Sequence, residues 1–156
     1  MPELPEVETI ARHLAPVLTG QTIAHVDVLW LRTVDRPAHE AFCAALTGAC
    51  VTHVGRRGKY IQMALSTGQT LLVHLRMSGK FAVRCDAPGE DKHARLRWQL
   101  GDGMWVVFID PRKFGRFYLV DDPCGITGDL GPEPLSVDFT PAWLAAHLAR
   151  HRGEIK

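Results

Sequence analysis

The sequence predicts a mostly β protein, an antiparallel sandwich or barrel with an α-helix against one side. Three observations predict it. Apolar residues keep a helical period in only three short stretches. The body of the chain between residues 49 and 120 breaks instead into strand-like runs. Gly-containing turn signals join these runs at intervals too short for the crossover helices of alternating βαβ units.

From Glu6 the apolar positions Val7, Ile10, Ala11, Leu14 and Leu18 fall on one helical face, with Pro5 suited to the first turn and Gly20 to a stop. Pro16 removes one late hydrogen bond and weakens the last turn. The period then changes to two: Ala24, Val26, Val28 and Trp30 alternate with polar residues, as in a half-buried strand. Ala38–Leu46 is a short helix closed by Gly48. Strands follow at Ala49–Val54, Lys59–Leu65, Thr70–Arg76, Lys80–Arg84, Ala94–Leu100, Met104–Ile109 and Arg116–Val120. Ser66-Thr67-Gly68 joins one pair of them and Gly101-Asp102-Gly103 another. Asp121 to Asp138 reads as a loop, and Thr140-Pro141 as the N-cap and first residue of a helix with Leu144 and Leu148 one turn apart. The chain runs out in a basic stretch, Arg150 to Lys156.

Composition bounds the function. The 156 residues, 46% hydrophobic and 22% charged, describe a globular chain. A single domain of this length buries about 68–70% of its unfolded surface and needs no disulfide or metal staple. No run approaches the roughly 18 apolar residues of a membrane helix, and the acidic, Pro-broken MPELPEVETI is unlike a secretory signal, so a cytoplasmic, non-membrane protein is expected. Cys43, Cys50, Cys85 and Cys124 form no CxxC pair, so neither a zinc ribbon nor a redox motif is written in them. Net charge is +1, but Arg56 to Arg116 carries 12 Lys/Arg against 5 Asp/Glu, leaving 6 against 12 elsewhere. Such clustering is the footprint expected for a polyanion, although a solvated sheet face can look the same.

Chemistry concentrates at Pro2. Initiator methionine is normally removed before a small second residue, which leaves a secondary α-amine with a reference pKa near 8, partly nucleophilic at neutral pH. Its attack on a sugar aldehyde gives an iminium that acts as an electron sink and drives phosphate elimination. Pro at position two is also a common processing signal. Glu3 and Glu6 stand beside it at the positive end of the first helix, where they also stabilise the helix. Lys59 follows Arg56-Arg57-Gly58, a glycine turn flanked by cations suited to phosphate. His74-Leu75-Arg76-Met77-Ser78-Gly79-Lys80 sets an apolar side chain among cations, as a wedge into a base stack would need. In Asp110-Pro111-Arg112-Lys113-Phe114-Gly115-Arg116, Arg112 is placed for hydrogen bonding and Phe114 for stacking. Lys92-His93 offers a further phosphate contact.

Together MPELPEVETI, GRRGKY, HLRMSGK, KH, DPRKFGRF and LGPEPL, in this order over nearly the whole chain, resemble the N-terminal domain of the formamidopyrimidine-DNA glycosylases, bacterial repair enzymes for oxidised purines. Pro2-Glu3-Leu4 fits that branch better than the Pro-Glu-Gly opening of the endonuclease VIII branch. The resemblance implies a two-sheet β-sandwich flanked by helices, with a catalytic domain over residues 1–135 and the start of a helical linker over 136–156. It implies N-glycosidic cleavage followed by β- and δ-elimination. Pro2 would be the nucleophile at C1′, Glu3 the acid on the sugar ring oxygen, Glu6 its support, and Lys59 a phosphate and proton-transfer partner. Met77, Arg112 and Phe114 would fill the gap left by a flipped nucleotide. His93 would bind phosphate, and Arg57 and Lys113 complete the DNA-binding set. The implied partner is double-stranded DNA with oxidised bases or abasic sites, bound by a monomer. The family's helix–two-turn–helix module and four-cysteine zinc finger are expected beyond Lys156, so no metal or other cofactor is expected in this chain. The alternative is a truncated fragment of the same family that is non-catalytic or only binds DNA.

Overall fold

The computed structural model describes residues 1–150 and Gly153, so most of the basic stretch Arg150–Lys156 lies outside the described residues. In chain order the elements are α1 (Leu4–Leu18), β1 (Ile23–Val28), a 3₁₀ turn (Leu31–Thr33), β2 (Val34–Arg36), α2 (His39–Leu46), β3 (Val51–Arg57), β4 (Tyr60–Leu65), β5 (Thr70–His74), β6 (Lys80–Arg84), β7 (Ala94–Leu100), β8 (Trp105–Ile109), β9 (Arg116–Val120), α3 (Cys124–Thr127) and α4 (Pro141–Arg150). The strands form two sheets, in the orders β1-β7-β8-β6 and β2-β9-β5-β4-β3. All pairings are antiparallel except β2 with β9. The two-sheet sandwich is therefore the architecture, rather than a closed barrel.

The sheets meet through aromatic side chains. Phe117 of β9 lies edge-on to Trp98, Phe108 and Phe81 of the other sheet, with the Phe108 ring 4.9 Å away. Such edge-to-face pairs add to the stabilisation from burial alone. Helix α1 buries Val7, Ala11, Leu14 and Leu18, the stripe its spacing predicts, against β3 and β4, and runs on through Pro16. Helix α2 contributes Phe42 and Leu46 to the same core. No helix among the described residues is long and apolar enough to cross a membrane.

Several boundaries differ from the sequence reading. In β1 a bulge between Ile23 and His25 shifts the face by one residue, so Ile23 is buried and Ala24 exposed; the strand ends before Trp30. The predicted strand Ala49–Val54 is displaced to Val51–Arg57, because Arg57 still pairs with Tyr60 and the hairpin turn is only Gly58-Lys59. Gly58 takes φ +57 there, the left-handed region a two-residue hairpin needs. Strand β5 stops at His74 rather than Arg76. The predicted loop after β9 contains the single turn α3, with Asp122 accepting from the Cys124 N–H. Thr140 does cap α4, its Oγ1 accepting from Trp143 N at 3.1 Å, yet α4 buries none of its residues.

Candidate functional site

The start of α1 and the β3–β4 turn build one half of the site. Glu3 is the N-cap of α1, and its N–H donates to Glu6 Oε2 at 3.0 Å within a reciprocal capping box. Glu6 thus fixes the backbone of Glu3. The Glu3 carboxylate, besides its part in that box, reaches Lys59 Nζ at 2.7 Å. Pro2, Glu3 and Glu6, neighbours in sequence, therefore share one corner with the distant Lys59.

That turn is gripped from below. The Gly58 N–H donates to Glu133 Oε1 at 2.7 Å, and the Gly58 carbonyl accepts from Arg56. Arg57 donates to Glu133 Oε1 and to the Leu130 and Gly131 carbonyls. The structure consequently turns Arg57 inward onto the 130–133 loop, where the sequence reading aimed it at phosphate. A Cβ on Gly58 would lie 2.8 Å from Leu130, so side-chain-free backbone is needed as well as positive φ.

Two loops build the other half. Met77 and Phe114 are about half exposed, at 50% and 49%, and Arg112 places a guanidinium nitrogen 3.2 Å from the Met77 sulfur. Both loops are fastened by one carboxylate. Asp110 is completely buried; its Oδ1 accepts from the Ser78 hydroxyl and from Arg112 N, and its Oδ2 from Gly115 N at 2.7 Å. Buried Arg95 donates to the Asp110 carbonyl and to those of Lys92 and Ala94. Gly79 and Gly115 press on opposite loops against Phe108: a Cβ at Gly79 would lie 2.7 Å from its ring and one at Gly115 2.4 Å. The Met77 and Phe114 loops can thus approach each other only over glycine.

The two halves meet at a hollow of about 380 Å³ lined by Met1, Arg76, Met77, Phe114 and Arg116. Met1, the residue ahead of Pro2, is part of its lining. His93 lies apart, on a larger hollow of about 950 Å³ between the 88–93 loop and the outer face of the smaller sheet, with Arg84, Lys92 and Arg97. It is tied to the first site through its carbonyl, which accepts from Asp110 N. Lys113, at φ +63, sets its ammonium 4.0 Å from the Trp30 ring centre, a cation–π contact. Among the described residues no three His, Cys, Asp or Glu side chains form a metal-holding group.

Sequence reasoning missed Asp110, Glu133, Arg56 and Glu8 as fasteners, and also His74. His74 is 8% exposed, its Nδ1 accepts from Arg76 N, and Tyr60 packs edge-on at 4.8 Å. Burial first, then the charges of Arg76 and Lys59, push its pKa down to about 4. The unfolded chain, with a histidine near 6.5, therefore takes up this proton first. The stability is fully present above pH 6.5 and is lost as pH falls toward 4. We expect urea unfolding at pH 4.5 to give on the order of 2 kcal/mol less stability than at pH 7, a slope that His74→Gln flattens. Glu8, held low by hydrogen bonds from Arg56 and Arg12, acts in a lower window. So does Glu133, where burial is outweighed by the Gly58 N–H and both arginines. Their contribution is present above the ordinary carboxylate range and fades only beneath it.

The formamidopyrimidine-DNA glycosylase N-terminal domain matches residues 1–117. The formamidopyrimidine-DNA glycosylase of Chloroflexus aggregans is 45% identical across all of this chain, and that of Chloroflexus aurantiacus 41%. The chain spans 58% and 57% of the length of these two relatives. Among solved structures, wild-type Lactococcus lactis Fpg in complex with DNA containing N7-benzyl-Fapy-dG superposes with a TM-score of 0.87 at 32% identity, covering 96% of this chain and 56% of that one. The same organism's Fpg with DNA containing an abasic site gives 0.85 at 30%, covering 96% and 57%.

Proposed function

The chain belongs to the formamidopyrimidine-DNA glycosylase N-terminal domain family, and on that premise we propose that it is the catalytic domain of a bifunctional base-excision repair enzyme. Its substrate is double-stranded DNA carrying oxidised purines or abasic sites, and its place is the bacterial cytoplasm. Residues 1–135 form the catalytic sandwich and 136–156 lead toward further modules. The observation that carries this reading is the 2.7 Å contact of Lys59 Nζ with Glu3 at the start of α1, one residue from Pro2.

With Met1 removed, the Pro2 amine adds to C1′ of the damaged nucleoside and the base departs with a proton. Glu3 protonates the ring oxygen, opening the sugar and leaving a Pro2 iminium; Lys59 is placed to return a proton to Glu3. The iminium acidifies C2′, whose proton loss expels the 3′ phosphate, and a second deprotonation expels the 5′ phosphate. Water then hydrolyses the iminium and frees the amine. Met77 and Phe114, which line the adjoining hollow, and Arg112, which touches the Met77 sulfur, fill the space left by the everted nucleotide. His93 and Lys113 add phosphate contacts. The four cysteines lie at separate positions in the fold and do not fit a four-cysteine zinc site. Pro2 and these side chains carry every step above.

The test is borohydride trapping of the chain beginning at Pro2 on a duplex with one abasic site. A covalent adduct is expected, absent with undamaged duplex, and the affinity behind it falls steeply as salt rises from roughly 50 to 200 mM. No adduct at high protein concentration and low salt would leave only the reading of a non-catalytic, DNA-binding scaffold.

A further inference from the structure

We propose that Arg56 is the positioning residue that holds Lys59 against Glu3, an inference that rests on the catalytic reading of that pair. Its side chain is only 9% exposed. Nε donates to Glu8 Oε2 at 2.9 Å, five residues beyond Glu3 on α1. One terminal nitrogen donates to the Gly58 carbonyl at 3.1 Å, in the turn that carries Lys59. The same nitrogen stands 2.7 Å from Glu133 Oε2, an ion-pair contact rather than an aligned hydrogen bond, since that oxygen has no hydrogen-bond partner. One buried guanidinium therefore bridges the helix that presents Glu3, the turn that presents Lys59, and the loop behind both.

The arrangement asks for arginine specifically. Its planar fork addresses helix and turn with separate, fixed N–H groups, whereas a lysine ammonium is a point charge on a flexible stem. The neighbouring Arg57 grips the same loop but makes no bond to α1. The alignment of α1 with the turn thus passes through Arg56. Lys59 and Glu3 each sit on a single chain segment, at the tip of a two-residue turn and at a helix cap. A small rotation of α1 against β3 would therefore separate them without unfolding either. Misplacement by about 1 Å is enough to cost roughly 10²-fold in rate.

Two readings test this on Arg56→Gln. Single-turnover trapping on abasic duplex separates amplitude, which reports the folded fraction, from rate constant, which reports alignment. We expect the rate constant to fall by about 10²-fold with amplitude retained, and Arg56→Gln added to Lys59→Ala to slow trapping no further. Reductive dimethylation with formaldehyde and cyanoborohydride, mapped by mass spectrometry, reads Lys59 without any DNA. Its labelling should accelerate several-fold in Arg56→Gln once Glu3 no longer holds the amine. Unchanged Lys59 labelling, or rate losses that simply multiply in the double variant, would overturn the proposal. Should Arg56→Gln not fold, Glu8→Gln opens only the α1 end of the bridge and gives the same two readings. A parent chain that traps no DNA would refute the catalytic reading, while the labelling still decides what Arg56 holds.

Discussion

A chain that keeps even one residue ahead of Pro2 is expected to form no borohydride-stable adduct with abasic DNA, a loss of at least about 10³-fold relative to the chain beginning at Pro2. The cause is electronic. An α-amine with a pKa near 8 is about one-tenth unprotonated at neutral pH, whereas the same nitrogen in a peptide bond has its lone pair delocalised into the carbonyl. The structure adds a steric cause, because Met1 lines the hollow shared by Arg76, Met77, Phe114 and Arg116. Removing it exposes the amine and clears space beside the wedge residues at once. Intact-mass analysis before the assay identifies the terminus, and trapping by a confirmed Met1-retaining chain would refute the role of Pro2.

The second large effect is expected at Asp110. Asp110→Ala leaves the buried Gly115 N–H without its acceptor and removes the carboxylate oxygen that the part-buried Ser78 hydroxyl and the Arg112 N–H share. Each orphaned donor costs about 1–3 kcal/mol, so on the order of 4 kcal/mol of stability should be lost in urea unfolding. That is a large share of the 5–15 kcal/mol typical of a domain. Loss of the carboxylate also frees the Met77 loop from the Arg112–Phe114 loop, so the folded remainder should open DNA poorly. Fluorescence of 2-aminopurine opposite the lesion reads that opening. Stability within about 0.5 kcal/mol of the parent would contradict the fastening role.

Much of this was legible beforehand, and the reasons are local. The stripe Val7-Ala11-Leu14-Leu18 and the alternation in β4 are periodic over enough residues to specify their elements. Strand β2 was not legible, because three residues cannot display a period and Val34-Asp35-Arg36 is polar; it exists by pairing with β9. The bulge in β1 was equally hidden, since it depends on the register against β7. In the site, Pro2, Glu3 and Lys59 could be picked out by residue type and motif. That both adjacent arginines turn onto the protein's own carboxylates and carbonyls could not. Arg56 finds Glu8 48 positions away where α1 packs on β3, and Gly58 finds Glu133 75 positions away, a contact made only when the loop after β9 folds back.

The short parallel strand β2 has a further consequence, for behaviour in a crowded solution. It covers the β9 side of the larger sheet for three residues, carries exposed Asp35 and Arg36, and is followed by Pro37, which has no N–H to offer. At the opposite side, the start of β3 exchanges hydrogen bonds with Gly20 and Gln21. An extended segment from another molecule therefore meets charge and proline at the β2 side, and at the β3 side a strand whose first residue is already paired. A sandwich so rich in β-structure in this way blunts the edges of its larger sheet against the edge-to-edge growth that leads to aggregation.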